Sequence, residues 1–167
     1  MKHYQPSSLA LLDAGGVKSP VPSKMSLELA KGHNPLVTNN ISDFNKVAAY
    51  VFCEPPYIPE PVKNVMATQA VEHRAMNNQI FTVVHPQIEM LQPLLGSIKA
   101  PVLIIWGDHD QVIDPSSVGV FQQGLTGAPS VTTVTLKNFG HLPMTEKPEQ
   151  MAEAYLKFLQ NSARRSK

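Results

Sequence analysis

The segment PVLIIW at 101–106 limits the possible folds more than any other stretch of this chain. It is apolar from end to end and closed by Gly107. A run this short suits a strand better than a buried helix, and it lacks the alternation of a half-exposed strand. Such a strand is buried on both faces, as happens where helices cover both sides of a parallel sheet. SLALLDA at 8–14, ended by Gly15 and Gly16, reads the same way. SVTTVTLKNF at 130–139 is rich in β-branched residues and alternates more, which places it nearer a sheet edge.

Helical patterns fill the spaces between these strands. DPSSVGVFQQGLTGAP follows the second strand, with Asp114 or Ser116 as a cap and Val118, Val120 and Phe121 turned partly inward. KPEQMAEAYLKFLQNSARR follows the third, with Pro148 in the first turn, acids early and Arg164 and Arg165 late, as the helix dipole favours. Met151, Ala152, Tyr155, Leu156 and Leu159 form its predicted inward stripe. Strand–helix–strand–helix at this spacing is a right-handed parallel α/β unit.

The first and second strands are separated by about 85 residues, far more than one crossover helix needs. ISDFNKVAAYVF begins with Ser42 or Asp43 as a cap, and PVKNVMATQAVEHRAMNNQIFTVV carries Val62, Val65, Met66, Gln69, His73, Met76 and Ile80 at helical intervals. IEMLQPLLGSIKAP leads back to the sheet. Prolines cluster at 19–22, 54–61 and 85–94 and cut this stretch into short pieces. The expected organisation is an α/β core from residues 1–19 and 100–167, interrupted by a helical insert over 20–99.

A chain of 167 residues with 43% hydrophobic and 16% charged residues affords one buried core. Its net charge of +1 argues against nucleic acid as a partner, and the basic tail ARRSK at 163–167 reads as a solvated, frayed terminus. A single cysteine, Cys53, excludes an internal disulfide framework and fits a reducing compartment; its apolar context makes a small buried hydrophobe its expected role. MKHYQPSS lacks a leader's apolar region and no stretch reaches membrane-spanning length, so a soluble cytoplasmic chain is expected. GDHD at 107–110 lacks further ligands at metal-site spacing, and no cofactor is implied.

SLALLDAGGV, the proline-broken insert, IKAPVLIIWGDHDQVID and VTTVTLKNFGHLPMTEKPEQMAEAYLKFL together resemble the C-terminal half of the α/β-hydrolases, with capped bacterial lipases and esterases the nearest pattern. The resemblance covers about residues 7–160 and implies a partial α/β-hydrolase fold: strands 6–8 of that family with flanking helices and a helical cap. It implies that Asp110 is the orienting acid and His141 the general base and acid of a Ser-Asp-His triad. A serine hydroxyl attacks an ester only when an imidazole takes its proton and a carboxylate holds that imidazole in the right tautomer. Asp108 and Asp114 are neighbours more ordinarily used in turns and caps. Asp13 is a further candidate acid, read here as a strand-end turn. His3, His33, His73, His85 and His109 lack the context of His141.

No serine in the sequence stands in a G-x-S-x-G elbow: Ser117 has Gly119 after it but Pro115 before it. Neither Ser117 nor Cys53 has elbow context, and the nucleophile is expected upstream of Met1. The resemblance implies an ester or lipid-like substrate and a chain inactive without its Ser-bearing half. A non-catalytic ligand-binding or regulatory module is the alternative. Strand 8–14, as an apolar edge, is expected to pair with an N-terminal half or to self-associate.

Overall fold

The computed structural model describes residues 6–85 and 90–165. Three parallel strands, β1 (Leu9–Leu12), β2 (Val102–Gly107) and β3 (Val131–Leu136), form a sheet in the order β1-β2-β3. Leu12 lies opposite Ile105, and Gly107 opposite Leu136, so all three strands end at one edge of the sheet.

The unbroken apolar character of β2 has the cause the sequence suggested: every residue of it is buried. Its side chains alternate between two cores. Val102, Ile104 and Trp106 pack with Phe121, Leu95, Leu125 and Val17. Leu103 and Ile105 pack with Leu136, Phe139 and Phe158. The first core is closed by helix α5 (Ser117–Gly124) and the second by helix α7 (Pro148–Arg165).

Between β1 and β2 come α1 (Lys24–Ala30), α2 (Asp43–Val51), α3 (Glu60–Glu72) and α4 (Arg74–Val84), then a 3-10 segment at Gln92–Ser97. Helix α6 (Pro143–Glu146) is a single turn ahead of α7. Ser23, at the end of the proline-rich 19–22 stretch, caps α1 by accepting from the Ser26 N–H at 3.1 Å.

Several sequence readings need correction. β1 is half-buried along its length rather than buried on both faces, because among the described residues it pairs only with β2 and its other edge is open. Tyr155, Leu156 and Ala152 of α7 face outward; the inward ridge is Ala154, Phe158 and Leu159, since a three-stranded face accepts only one narrow row of side chains. The tail is helical through Arg165 rather than frayed there.

The 60–84 segment breaks at His73 into two helices, and Val62, Val65, Met66, Met76 and Ile80 are exposed. Ala67 is the residue that α3 buries. Asn40, not Ser42 or Asp43, supplies the side-chain cap at α2, accepting from the Asp43 N–H at 3.2 Å. Cys53 is half-buried rather than enclosed, its thiol pushed up by burial and then by Glu146 and Glu54. The MKHYQ start, on which the leader reading rested, lies outside the described residues. Among the described residues no helix is long and apolar enough to cross a membrane.

Candidate active site

Functional side chains in parallel sheets gather beyond the carboxyl ends of the strands, and here the three loops leaving that edge are bound to one another. Gly107 marks the junction. A Cβ there would lie 2.3 Å from the Gly140 oxygen and 2.5 Å from the Phe139 oxygen, so the chain after β3 crosses the end of β2 only over glycine. The His109 N–H donates to the Phe139 oxygen at 2.9 Å, and Asp108 Oδ1 accepts from the Asn138 N–H at 2.7 Å. Burial works against the Asp108 charge, but His109 and the amides of Asn138 and Phe139 together hold its carboxyl below the ordinary value.

This crossing brings Asp110 and His141 together. The Asp110 side chain is fully buried, and its Oδ1 accepts from the amides of Val112 at 2.8 Å and Ile113 at 3.0 Å. Its Oδ2 lies 2.9 Å from His141 Nδ1. Because a carboxylate only accepts, the proton of that bond sits on Nδ1, which leaves Nε2 as the nitrogen able to take a proton. The imidazole is 22% exposed and so remains reachable. The chain on either side of its ring is equally fixed: the His141 N–H donates to the Val51 oxygen at 2.7 Å and the Gly140 N–H to Glu146 Oε2 at 2.8 Å.

The other candidates take different places. Asp114 serves as a turn cap, accepting from the Ser116 N–H at 2.9 Å. His33 pairs with Glu28, and His109 with Asp108. His73 joins α3 to α4, while His3 lies outside the described residues. Ser117 is fully buried at 2.6 Å from the Ser19 hydroxyl, in the body of the fold.

Asp13 is more than a surface turn. Its backbone has φ +41°, its Oδ1 accepts from the Gly107 N–H at 2.8 Å, and its Oδ2 is buried without a hydrogen-bond partner among the described residues. Burial pushes its carboxyl up to about 8; the Gly107 bond opposes the rise, and Asp110 and Glu146 add to it. Sequence reasoning missed this role because a strand-end Asp before two glycines is also what a solvated turn looks like. It missed Glu146 too, whose only signal is its place five residues after His141.

His141 opens on a cavity of about 360 Å³ whose walls include Met25, Leu36, Val37, Ile80, Phe81, Val84, Val112 and Ile113. A second cavity of about 390 Å³ shares Met25, His85, Val112 and Ile113 with it. A third, about 550 Å³, lies between β3 and α7 and is lined by neither Asp110 nor His141. The smaller apolar cavity is the one that adjoins the acid–imidazole pair.

The topology has counterparts among solved structures. The chain superposes on a membrane phospholipase A, described as a bacterial virulence factor, with TM-score 0.87 and 38% identity, over 93% of this chain and 49% of that one. It matches MGS-M2, an α/β-hydrolase enzyme from a Medee basin deep-sea metagenome library, with TM-score 0.65 and 18% identity, over 90% of this chain and 55% of that one. This chain carries the α/β-hydrolase fold.

Its sequence relatives are lipases. It is 31% identical to lipase 3 of Moraxella sp. (strain TA144) over 152 residues, which is 90% of this chain and 47% of that lipase. It thus spans about half the length of the curated relatives it matches. No protein-family model matches it.

Proposed function

We propose that this chain supplies the acid and the base of a serine carboxylic-ester hydrolase acting on a lipid-like ester. The observation that carries this reading is the buried Asp110 carboxylate held 2.9 Å from His141 Nδ1, with His141 on the wall of an apolar cavity. In this reading Asp110 keeps the imidazole in its Nδ1–H form and stabilises the imidazolium, and Nε2 takes the proton from a serine and returns it to the leaving alcohol. The nucleophile and the oxyanion donors come from polypeptide beyond these 167 residues, which corresponds to an N-terminal half. The chain alone is then inactive. The insert over 20–99 acts as a cap, with the cavity beneath it receiving the acyl chain.

The test is turnover of a short-chain nitrophenyl ester by the purified chain and by the chain combined with an N-terminal half carrying a G-x-S-x-G segment, each beside His141→Ala. Turnover only in the combination, abolished by His141→Ala, is the expected result. Saturable, His141-dependent turnover by the chain alone would overturn the division of roles. A combination that forms and remains inactive, while the chain binds a fatty acid, would point to the ligand-binding alternative.

A further inference from the structure

Glu146 is a carboxylate at this edge of the sheet that binds backbone amides of both the α/β core and the helical insert. Its Oε2 accepts from the Gly140 N–H at 2.8 Å, and its Oε1 accepts from the Glu54 N–H at 2.6 Å. Gly140 belongs to the loop after β3, and Glu54 lies three residues beyond the end of α2. The same two segments are joined by the His141 N–H bond to the Val51 oxygen at 2.7 Å. They meet without slack, since a Cβ on Gly140 would lie 2.3 Å from the Val51 oxygen and 2.8 Å from the Cys53 nitrogen.

The origin of the Glu146 side chain is fixed as well. The amides of Thr145 and Glu146 both donate to the Leu142 oxygen at 3.0 Å, forming the single turn of α6. The next residue, Lys147, pairs with the Glu54 carboxylate at 3.1 Å and holds its ammonium 5.0 Å from the Phe139 ring centroid. That ion pair is largely exposed on the Glu54 side and holds the Glu54 side chain rather than its backbone amide, so it adds little to the junction. A carboxylate that satisfies two backbone amides makes charge-assisted bonds of about twice the ordinary strength, so the junction is a deliberate tie rather than a passing contact.

We propose that Glu146 is a positioning residue: by clamping Gly140 to Glu54 it couples the seating of the helical insert to the orientation of His141 toward Asp110. This rests on the reading of Asp110 and His141 as an acid–base pair. The consequence is that His141 is correctly aimed only while the insert is seated, so a ligand that shifts the insert also shifts the base. Glu146 acts through the backbone and touches no substrate.

The proposal is tested on the full chain by NMR, following the His141 Nδ1–H resonance and the exchange of the Gly140 and Glu54 amides. Asp110→Asn is expected to shift or abolish the Nδ1–H signal. Glu146→Ala is expected to speed exchange of that proton and of both amides tenfold or more. Glu146→Gln retains one oxygen acceptor and is expected to fall between, while Lys147→Ala leaves the Nδ1–H signal as in the parent. Where Glu146→Ala does not fold, Glu146→Gln decides. Loss of stability in the Glu146 variants with an unchanged Nδ1–H proton would mean a merely structural role and would sink the proposal. An Nδ1–H signal indifferent to Asp110→Asn would instead sink the acid–base reading itself, so the two failures are told apart.

Discussion

Replacing Asp13 with Asn makes the chain's stability less dependent on pH, and the structure sets the size of the change. An unfolded Asp ionises near pH 4; in the fold this carboxyl keeps its proton up to about 8, chiefly because it is buried. Between those values the folded state binds the extra proton. Stability is therefore fully retained below about pH 4 and falls as pH rises, by about 1.4 kcal/mol per unit. The total lost by pH 8 is on the order of 5 kcal/mol, a large part of what a domain of this size has. Asn keeps the oxygen that accepts from the Gly107 N–H and tolerates the left-handed backbone at this position. Its amide nitrogen replaces an Oδ2 whose O–H already lacks a partner while protonated, so the added cost is that of one further unmet donor, about 1–3 kcal/mol. The two profiles then cross between about pH 4.5 and 6, with the parent the more stable below the crossing and the variant above it. Urea denaturation of both proteins at half-unit steps from pH 4.5 to 8.5 reads this directly, because every other titrating group is common to the pair. Parallel profiles with no crossing would refute the argument and mean that Asp13 ionises as an ordinary carboxylate.

Other substitutions test the packing around the site. Gly107→Ala drives a Cβ into the Gly140 and Phe139 backbone and should cost several kcal/mol or prevent folding, read as the urea midpoint. Phe121→Ala empties the centre of the core beneath Trp106 and should cost about 3–5 kcal/mol; a loss under about 1 kcal/mol would mean that this core collapses freely. Ser23→Ala removes the α1 cap and should cost about 1 kcal/mol without altering the His141 Nδ1–H resonance.

Much of this was legible before any coordinates. PVLIIW showed a strand buried on both faces because only a covered parallel strand tolerates six apolar residues in a row. The β-branched alternation of 130–139 placed β3 at an edge, where the structure has it. The resemblance to the α/β-hydrolases singles out Asp110 and His141; both follow successive strands, and parallel register brings such positions together. The insert was less legible. The helical spacing of Val62, Val65, Met66, Met76 and Ile80 suggested an inward face, yet these residues are exposed, because periodicity reports an apolar stripe and not what covers it. The same ambiguity moved the inward ridge of α7 from Tyr155 and Leu156 to Ala154 and Phe158.

What the sequence determined by itself was local: which runs are strands, which segments are helices, and which loops carry titratable residues at a strand's end. Those follow from side-chain polarity and period, which neighbours along the chain already contain. Only the tertiary structure decided which carboxylate does what. Asp13, Asp108, Asp110, Asp114 and Glu146 are all carboxylates in the sequence; they differ in the backbone amides each one meets. Asp110 alone turns a free oxygen to His141, Asp108 and Asp114 brace turns, Glu146 joins the distant Gly140 and Glu54 segments, and Asp13 is left buried with one oxygen unpartnered among the described residues. Those partners come from distant parts of the chain, and a hydrogen bond depends on ångström-scale placement that no sequence period encodes.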